Sequence, residues 1–287
     1  MAYLALSILA SSLIFVIFKL FSKHGVQTIY AIVVNYFIAG TMGFILYNDG
    51  GNWKTIIDKP WFWGTLLLGV LFIVVFNLMA ITSQRSGVSV ASVATKMSLV
   101  IPVLFGVVVY KEELGALKVL GIFLALAAVY FSSIKQQSLI VQKASLVFPV
   151  LVFLGSGIID TSIKYIQEMY INENEYPLFS AAVFGSAAFS GTVMLSIKSL
   201  KKPLKFNSKN ILGGIALGIP NYFSIYFLLK ALENETLNSA SIFTINNVAI
   251  VMFSTLLGIL LFKEKISLMN WAGIALAILS IVIVALF

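Results

Sequence analysis

The 287-residue chain contains no cysteine, a single histidine and few charged residues. Without cysteine it can form neither a disulfide framework nor a thiolate metal site, and His24 alone cannot hold zinc. Charged residues make up 10% of the sequence, whereas soluble domains carry roughly 25%. Hydrophobic residues make up 60%, and the mean hydropathy is +1.02. A soluble fold of this length could not bury so much apolar surface, so we expect an all-α polytopic membrane protein in contact with the lipid bilayer.

The motifs of common nucleotide-dependent and intramembrane enzymes are also missing. The sequence has no G-x-x-x-x-G-K-[ST] loop and no H-E-x-x-H helix. Asp49 and Asp58 lie in a predicted loop, whereas a membrane aspartyl protease needs two aspartates facing each other inside spans. Ser156 has no histidine partner, because His24 lies at the edge of the first span. We therefore predict that the protein is not an enzyme and uses no metal or other cofactor.

Ten apolar segments are long enough to cross a bilayer, which takes about 20 residues of helix. The predicted spans are residues 3–21, 27–47, 61–82, 88–110, 114–133, 146–168, 178–197, 210–232, 239–262 and 267–286. The net charge of +8 comes from lysines spread over the short loops. That distribution is typical of the positive charge that flanks membrane spans, so we predict no nucleic-acid partner.

One segment of the chain occurs twice. "FGVVVYKEELGALKVLGIFLALA" returns as "LGILLFKEKISLMNWAGIALAIL", so that Lys111 and Glu112 correspond to Lys263 and Glu264. Lys19, near the end of the first span, likewise corresponds to Lys164 in the sixth. The chain thus divides into a first five-helix repeat, 1–135, and a second, 144–287. Five is an odd number, so the second repeat must insert upside down relative to the first. Ten transmembrane helices in two inverted repeats are typical of transporters that work by alternating access.

The doubled motif G-x-x-x-[YF]-K-E, followed after a short turn by G-I-x-L-A, resembles the EamA-type members of the drug/metabolite transporter superfamily. The resemblance covers essentially the whole chain. It implies ten helices, alternating access, and export or exchange of small metabolites. It also implies that helices five and ten are peripheral supports while the others surround a central cavity. We expect a multi-pass protein of the cell (inner) membrane that is a monomer or a weak homodimer.

Lys96 is a charged residue inside the fourth predicted span. It lies about 13 Å from the Gly87 end of the helix and about 21 Å from Tyr110. A charge at such depth costs about 2.5–3.5 kcal/mol on insertion scales. One interpretation is that Lys96 faces a polar cavity and binds an anionic group of the substrate. The other is that the helix begins later and Lys96 reaches a wet rim.

Several amides also lie inside the predicted spans. Asn246 and Asn247 lie at nearly the depth of Lys96, but neighbouring residues point about 100° apart on a helix, so at most one faces the cavity. Hydrogen bonding between helices is the alternative role for both. Asn77 and Asn221 are favoured because they lie in symmetry-related helices. The predicted substrate-binding set is Lys96, Asn246, Asn247, Asn77, Asn221, Tyr222 and Asn35.

Asp160 is the only carboxylate well inside a span. Lys164 follows one turn later, at the spacing of an intrahelical pair. Asp160 could instead titrate and couple proton movement to transport, or bond to another helix. We predict a secondary transporter for a small polar, anionic or zwitterionic metabolite. The rival hypothesis is a proton-coupled exporter of drugs or hydrophobic cations that uses Asp160.

Two signals predict opposite orientations in the membrane. The loops after spans 1, 3, 5, 7 and 9 carry twelve basic residues: Lys19, Lys23, Arg85, Lys135, Lys143, Lys198, Lys201, Lys202, Lys205, Lys209, Lys263 and Lys265. The opposite side carries six: Lys54, Lys59, Lys111, Lys118, Lys164 and Lys230. The positive-inside rule would place the first group in the cytoplasm and both termini outside, whereas the family resemblance implies cytoplasmic termini.

Overall fold

The computed structural model describes residues 2–46, 53–109, 115–133, 143–171, 176–200, 207–232 and 239–286. Asp49, Lys111, Glu112, Lys135, Lys201, Lys202 and Lys205 lie outside the described residues. Within them the chain forms α-helices and one short 3-10 helix, Trp53–Asp58, and no β-strand. The helices are α1 (Ala2–His24), α2 (Thr28–Leu46), α3 (Phe62–Arg85), α4 (Val88–Met97), α5 (Val100–Val109), α6 (Ala116–Ser133), α7 (Lys143–Tyr170), α8 (Tyr176–Ser199), α9 (Ser208–Leu232), α10 (Ser239–Phe262) and α11 (Leu268–Leu286).

These helices follow the predicted spans to within a few residues, and the all-α class is confirmed. Among the described residues, 7 segments are long and apolar enough to cross a membrane, with α4 and α5 together forming one of them, Val88–Val109. Three shorter apolar segments occupy the other predicted spans: Thr28–Gly43, Val119–Ser132 and Leu268–Val284. The count of ten membrane crossings stays a prediction.

The packing of α6 against α11 shows how the two repeats are related. These helices are counterparts in the sequence repeat, and they run antiparallel. The Gly273 backbone of α11 lies against Ser132 near the end of α6, while Ser280 Oγ donates a hydrogen bond to the Gly121 carbonyl near its start (2.7 Å). Other helices also pack across the two repeats: α2 packs on α9, and α3 on α8. The antiparallel α6 and α11 are what an inverted second repeat would give, and the division into two inverted repeats stays a prediction.

Close approach of small residues holds the centre of the bundle together. A Cβ atom added to Gly69 of α3 would lie 2.5 Å from the Ser186 carbonyl carbon of α8. At Gly214 of α9 it would lie 2.7 Å from the Ala31 carbonyl oxygen of α2. Helices in membranes associate through such backbone proximity, because lipid is as apolar as the side chains it would replace.

The fourth predicted span is interrupted. It divides into α4 and α5 at a turn formed by Ser98 and Leu99, shortly before Pro102. The Ile101 N–H donates to the Ser98 carbonyl only three residues back (2.9 Å), and Pro102 has no N–H to continue the helical pattern. α9 stays continuous through Pro220. Interrupted spans are tolerated where protein or a cavity satisfies the freed backbone groups.

Candidate substrate site

A cavity of about 290 Å³ lies beside the interruption of the fourth span, and both repeats line it. The first repeat contributes side chains from α1, α3, α4 and the turn after α4, and the second from α7, α9 and α10. One wall is apolar and includes Phe15, Phe72 and Phe76. The polar lining consists of Ser11, Thr95, Lys96, Ser98, Ser156, Asp160, Asn221, Ser224 and Asn247.

Lys96 lies in the last turn of α4 and is half-buried against this cavity. α4 begins at Val88, so Lys96 lies about 12 Å along the helix from its start. The carbonyl end of a helix favours a positive charge by about 0.3–1 kcal/mol. In the part of the chain that the structure describes, Lys96 has no hydrogen bond, and no carboxylate oxygen lies within 4.0 Å of its Nζ atom. Its ammonium group is therefore available to a ligand.

Asp160 presents a carboxylate to the same cavity from α7. Its Oδ2 atom accepts a hydrogen bond from Ser98 Oγ at 3.3 Å. The Ser98 hydroxyl also lies 2.6 Å from the Thr95 carbonyl, so its single proton serves two acceptors. The contacts of Asp160 among the described residues do not include an ion pair with Lys164. The cavity thus contains one positive and one negative group, one from each repeat, that do not form a close ion pair.

Two of the predicted amides line the cavity, and two others are buried outside its lining. Asn221 and Asn247 face the cavity. Asn221 Nδ2 donates to Asn35 Oδ1 (3.1 Å), and Asn35 is fully buried. Asn246 accepts a hydrogen bond from Ser7 Oγ (3.2 Å) and is likewise buried. Asn35 thereby fixes the orientation of the Asn221 amide.

Asn77 and Tyr222 are the other two predicted site residues that do not line the cavity. Asn77 Nδ2 donates to the Ile73 carbonyl one turn earlier in α3 (2.8 Å). Tyr222 faces α2, where a Cβ atom added to Gly43 would lie 3.4 Å from its ring. The sequence indicates the depth of a residue in its span, but not which way its side chain points around the helix.

Ser156 is a cavity residue that the sequence did not identify as a binding group. Its side chain is 6% exposed, and its Oγ atom has no hydrogen-bond partner among the described residues. Such an unsatisfied buried hydroxyl costs about 1–3 kcal/mol. Ser156 precedes Asp160 by one helical turn, so both lie on the same face of α7. This spacing was the signal available in the sequence.

Two larger cavities lie on the outside of the bundle. One of about 570 Å³ lies between α2 and α8 and is lined by the exposed rings of Phe37 and Phe189. The other, of about 500 Å³, lies between α3, α5 and α7 and includes the exposed Leu67. No charged side chain lines either of them in the described part of the chain. The cavity of Lys96 and Asp160 is therefore the better candidate for a polar substrate.

Helices from two sequence repeats around a polar cavity, with an interrupted span beside it, are typical of membrane transporters. The EamA-like transporter family matches residues 1–134 and 145–286 of this chain. The chain therefore belongs to the EamA-like transporter family, within the drug/metabolite transporter superfamily, and is a multi-pass membrane transporter of that type. The resemblance in the doubled motif is confirmed. Members of the family are transporters rather than enzymes.

Two further comparisons find similar proteins along almost the whole chain. An uncharacterized protein of Haemophilus influenzae is 29% identical over 287 residues, which cover 97% of this chain and 95% of the relative. A protein of known crystal structure superposes with a TM-score of 0.59 at 16% identity, covering 98% of each chain. At that identity the superposition shows the fold alone.

Proposed function

We propose that the protein moves a small zwitterionic metabolite across the cell (inner) membrane by alternating access. The observation that carries this proposal is the presence of Lys96 and Asp160, without close ion pairing, in one cavity. A zwitterion supplies a carboxylate for the lysine and an ammonium group for the aspartate. Charged groups at membrane depth are costly unless they are paired, so the cavity favours a ligand that pairs both.

The second charge distinguishes a zwitterion from a simple anion. An anion that binds Lys96 also brings a negative charge toward Asp160. Two like charges about 6 Å apart repel each other by about 3 kcal/mol at an effective dielectric constant of about 20. The same argument applies in reverse to an organic cation near Lys96. The pair of residues therefore selects against ligands that carry only one charge.

The size and the walls of the cavity restrict the rest of the substrate. Its volume of about 290 Å³ is at the lower end of the usual range of ligand sites, about 300–1,000 Å³. Phe15, Phe72 and Phe76 form an apolar wall, while Asn221 and Asn247 offer amides. We therefore expect a compact metabolite with an apolar part beside its charged groups.

Binding can also drive closure, because the two charges belong to different repeats. Lys96 lies in the first repeat and Asp160 in the second. A zwitterion that bridges them pulls the two repeats together around itself. Rocking of the inverted repeats about this bridge would then expose the substrate to the other side of the membrane.

Solute exchange in proteoliposomes tests the proposal. Liposomes containing the purified protein are loaded with one unlabelled amino acid or small betaine at a time, and uptake of the same labelled compound is measured. We expect exchange of at least one zwitterion by the parent protein and loss of exchange in Lys96→Met and Asp160→Asn. Lys265→Gln removes an exposed lysine outside the cavity and is the matched control. Exchange that persists in both cavity variants would contradict the proposal.

The rival function, proton-coupled export of hydrophobic cations, is supported by one observation. Asp160 is exposed to a cavity with an aromatic wall, as a cation binder would be. Lys96 opposes it by repelling a cation from the same cavity. If tetraphenylphosphonium dissipates a pH gradient across the proteoliposomes, and Lys96→Met retains this activity while Asp160→Asn loses it, the rival function is correct.

A further inference from the structure

Glu264 links the two repeats at the membrane face where α1 and α3 end and α4 begins, which we call the Lys19 face. Its Oε1 atom accepts a hydrogen bond from the backbone N–H of Val88, the first residue of α4 (2.9 Å). Its Oε2 atom accepts one from Ser89 Oγ (3.4 Å). Lys19 Nζ lies 3.8 Å from Oε1. One carboxylate of the second repeat thus bonds to two helices of the first.

The backbone around Glu264 leaves little room for any other arrangement. A Cβ atom added to Gly87 would lie 2.9 Å from Glu264 Oε2, and one added to Gly258 would lie 2.6 Å from it. Gly87 has φ +121°, and Lys263 has φ +53°, a left-handed conformation that costs a residue with a side chain of order 1–3 kcal/mol. This left-handed residue immediately precedes the glutamate, which is consistent with a conformation kept for a functional contact.

Lys19 connects this contact to a wider hydrogen-bond network within the first repeat. Lys19 Nζ donates to the Gln84 carbonyl of α3 (3.0 Å). Gln84 Nε2 in turn donates to the Phe18 carbonyl of α1 (3.0 Å) and to Thr28 Oγ1 of α2 (3.2 Å). The ends of α1, α2 and α3 are thus joined, and Glu264 attaches the second repeat to them.

Glu264 is the outermost part of a seal over the cavity. Along α1, α3, α4 and α10, four residues lie between the cavity-lining positions and the helix ends at this face, and all have 0% exposure: Phe18, Ser83, Ala91 and Ile250. On the opposite side of the cavity, Asp160 and Ile225 are exposed. Since successive spans alternate in direction, both lie closer to the face where the chain begins and ends, which we call the terminal face. This pattern of exposure favours a state that is closed at the Lys19 face and open toward the terminal face.

We propose that Glu264 is the latch of the Lys19 face, so that its contacts with Lys19 and the N-terminus of α4 must break before the cavity opens there. This inference rests on the proposed alternating access. A carboxylate at the N-terminus of a helix is stabilised by the unpaired N–H groups and the helix dipole. Because α4 also carries Lys96, the latch positions the substrate's counter-charge while the Lys19 face is closed.

Cysteine labelling tests the latch, and the absence of native cysteine leaves no background. Ser83→Cys reports on the seal and Ile225→Cys on the open side of the cavity. Each reporter is placed in the parent and in Glu264→Gln, Lys19→Met and Lys265→Gln, and reconstituted in liposomes. Labelling by a membrane-impermeant maleimide is measured on the population with the relevant face outward.

We expect Glu264→Gln and Lys19→Met to speed labelling of Ser83→Cys about tenfold, the effect of losing about 1.4 kcal/mol from the closed state. Labelling of Ile225→Cys should slow in the same variants, and Lys265→Gln should change neither rate. Faster labelling of both reporters would mean general loosening, and unchanged rates would mean that Glu264 is only a surface contact. Either result would overturn the latch.

The labelling experiment needs no ligand, so it is independent of the proposed substrate. A protein that binds no zwitterion can still show the latch, and a protein without a latch can still bind one. If Glu264→Gln does not fold, Lys19→Met tests the same ion pair from the other partner.

Discussion

Several structural features stabilise Lys96, and they could not be inferred from the residues next to it in the sequence. It lies at the carbonyl end of a short helix, beside a cavity, and shares that cavity with a carboxylate from the other repeat. Each feature reduces the free-energy cost of a cation at this depth. Lys96 thus has no close ion-pair partner among the described residues and is available to a ligand.

Ser156 provides a test at the residue scale that separates binding from stability. Its buried hydroxyl lacks a partner among the described residues, so Ser156→Ala removes no hydrogen bond from the empty protein. We expect the melting temperature of the ligand-free protein to stay equal or rise, while affinity for the transported zwitterion falls roughly tenfold, the loss of one hydrogen bond to a charged group. Thermal unfolding with and without ligand measures both.

Ser12 supplies the matched control for that substitution. It is fully buried in α1, its Oγ atom also lacks a partner among the described residues, and it does not line the cavity. Ser12→Ala should therefore change stability in the same direction and leave affinity unchanged. Equal losses of affinity in both variants would show that Ser156 acts only through packing.

The sequence allowed only part of the site to be predicted. Lys96 and Asp160 stood out because charges are rare in spans, and both line the cavity. Asn77 and Tyr222 satisfied the same criterion of depth, yet their side chains point elsewhere. The direction of a side chain depends on how each helix is rotated in the bundle, and a uniformly apolar span gives no pattern from which to infer that rotation.

At the scale of the helices, the interruption of the fourth span and the close packing between helices position the side chains of the cavity. Pro102 lies in the fourth span, and the structure interrupts this span a few residues earlier, at the turn formed by Ser98 and Leu99. The break places Lys96 at a helix end and brings Ser98 to Asp160. Pro220 leaves α9 intact, so a proline alone did not indicate which span would be interrupted.

Substitution of Gly69 tests whether the close contact between α3 and α8 stabilises the protein. A methyl group there would lie 2.5–2.6 Å from the backbone of Ser186 and Ala187, which cannot rotate away. We expect Gly69→Ala to lower the free energy of unfolding by about 1–3 kcal/mol, the usual cost of overpacking, by forcing α3 and α8 apart. Thermal unfolding of the detergent-solubilised protein provides the measurement.

Gly185 of α8 is the control for Gly69, because a Cβ atom added to it meets nothing within 4 Å. Gly185→Ala should be neutral or stabilising, since alanine favours a helix by roughly 0.5–1 kcal/mol over glycine. A similar loss of stability in both variants would show that helix propensity or lipid contact, rather than the α3–α8 contact, sets the outcome.

At the scale of the whole molecule, duplication explains why residues of both repeats line one cavity. The repeat was evident in the sequence because the K-E turns and the glycines after them recur. The contacts of Glu264, by contrast, join residues far apart in sequence, so the repeat does not reveal them. The positive-inside rule and the family resemblance predict opposite orientations, so a reporter fused to the C-terminus would show whether the terminal face is cytoplasmic.

The central claim is that Lys96 and Asp160 together select a zwitterion. It is tested most directly by thermal shift, since a ligand that binds the folded state raises the melting temperature by mass action. The parent, Lys96→Met and Asp160→Asn are each measured with the exchanged zwitterion and with its amine-only and carboxylate-only analogues. We predict that the zwitterion stabilises the parent most. The amine-only analogue should be the ligand that best stabilises Lys96→Met, and the carboxylate-only analogue the one that best stabilises Asp160→Asn. The same ligand order in all three proteins, or equal stabilisation of the parent and Lys96→Met by hydrophobic cations, would contradict the account.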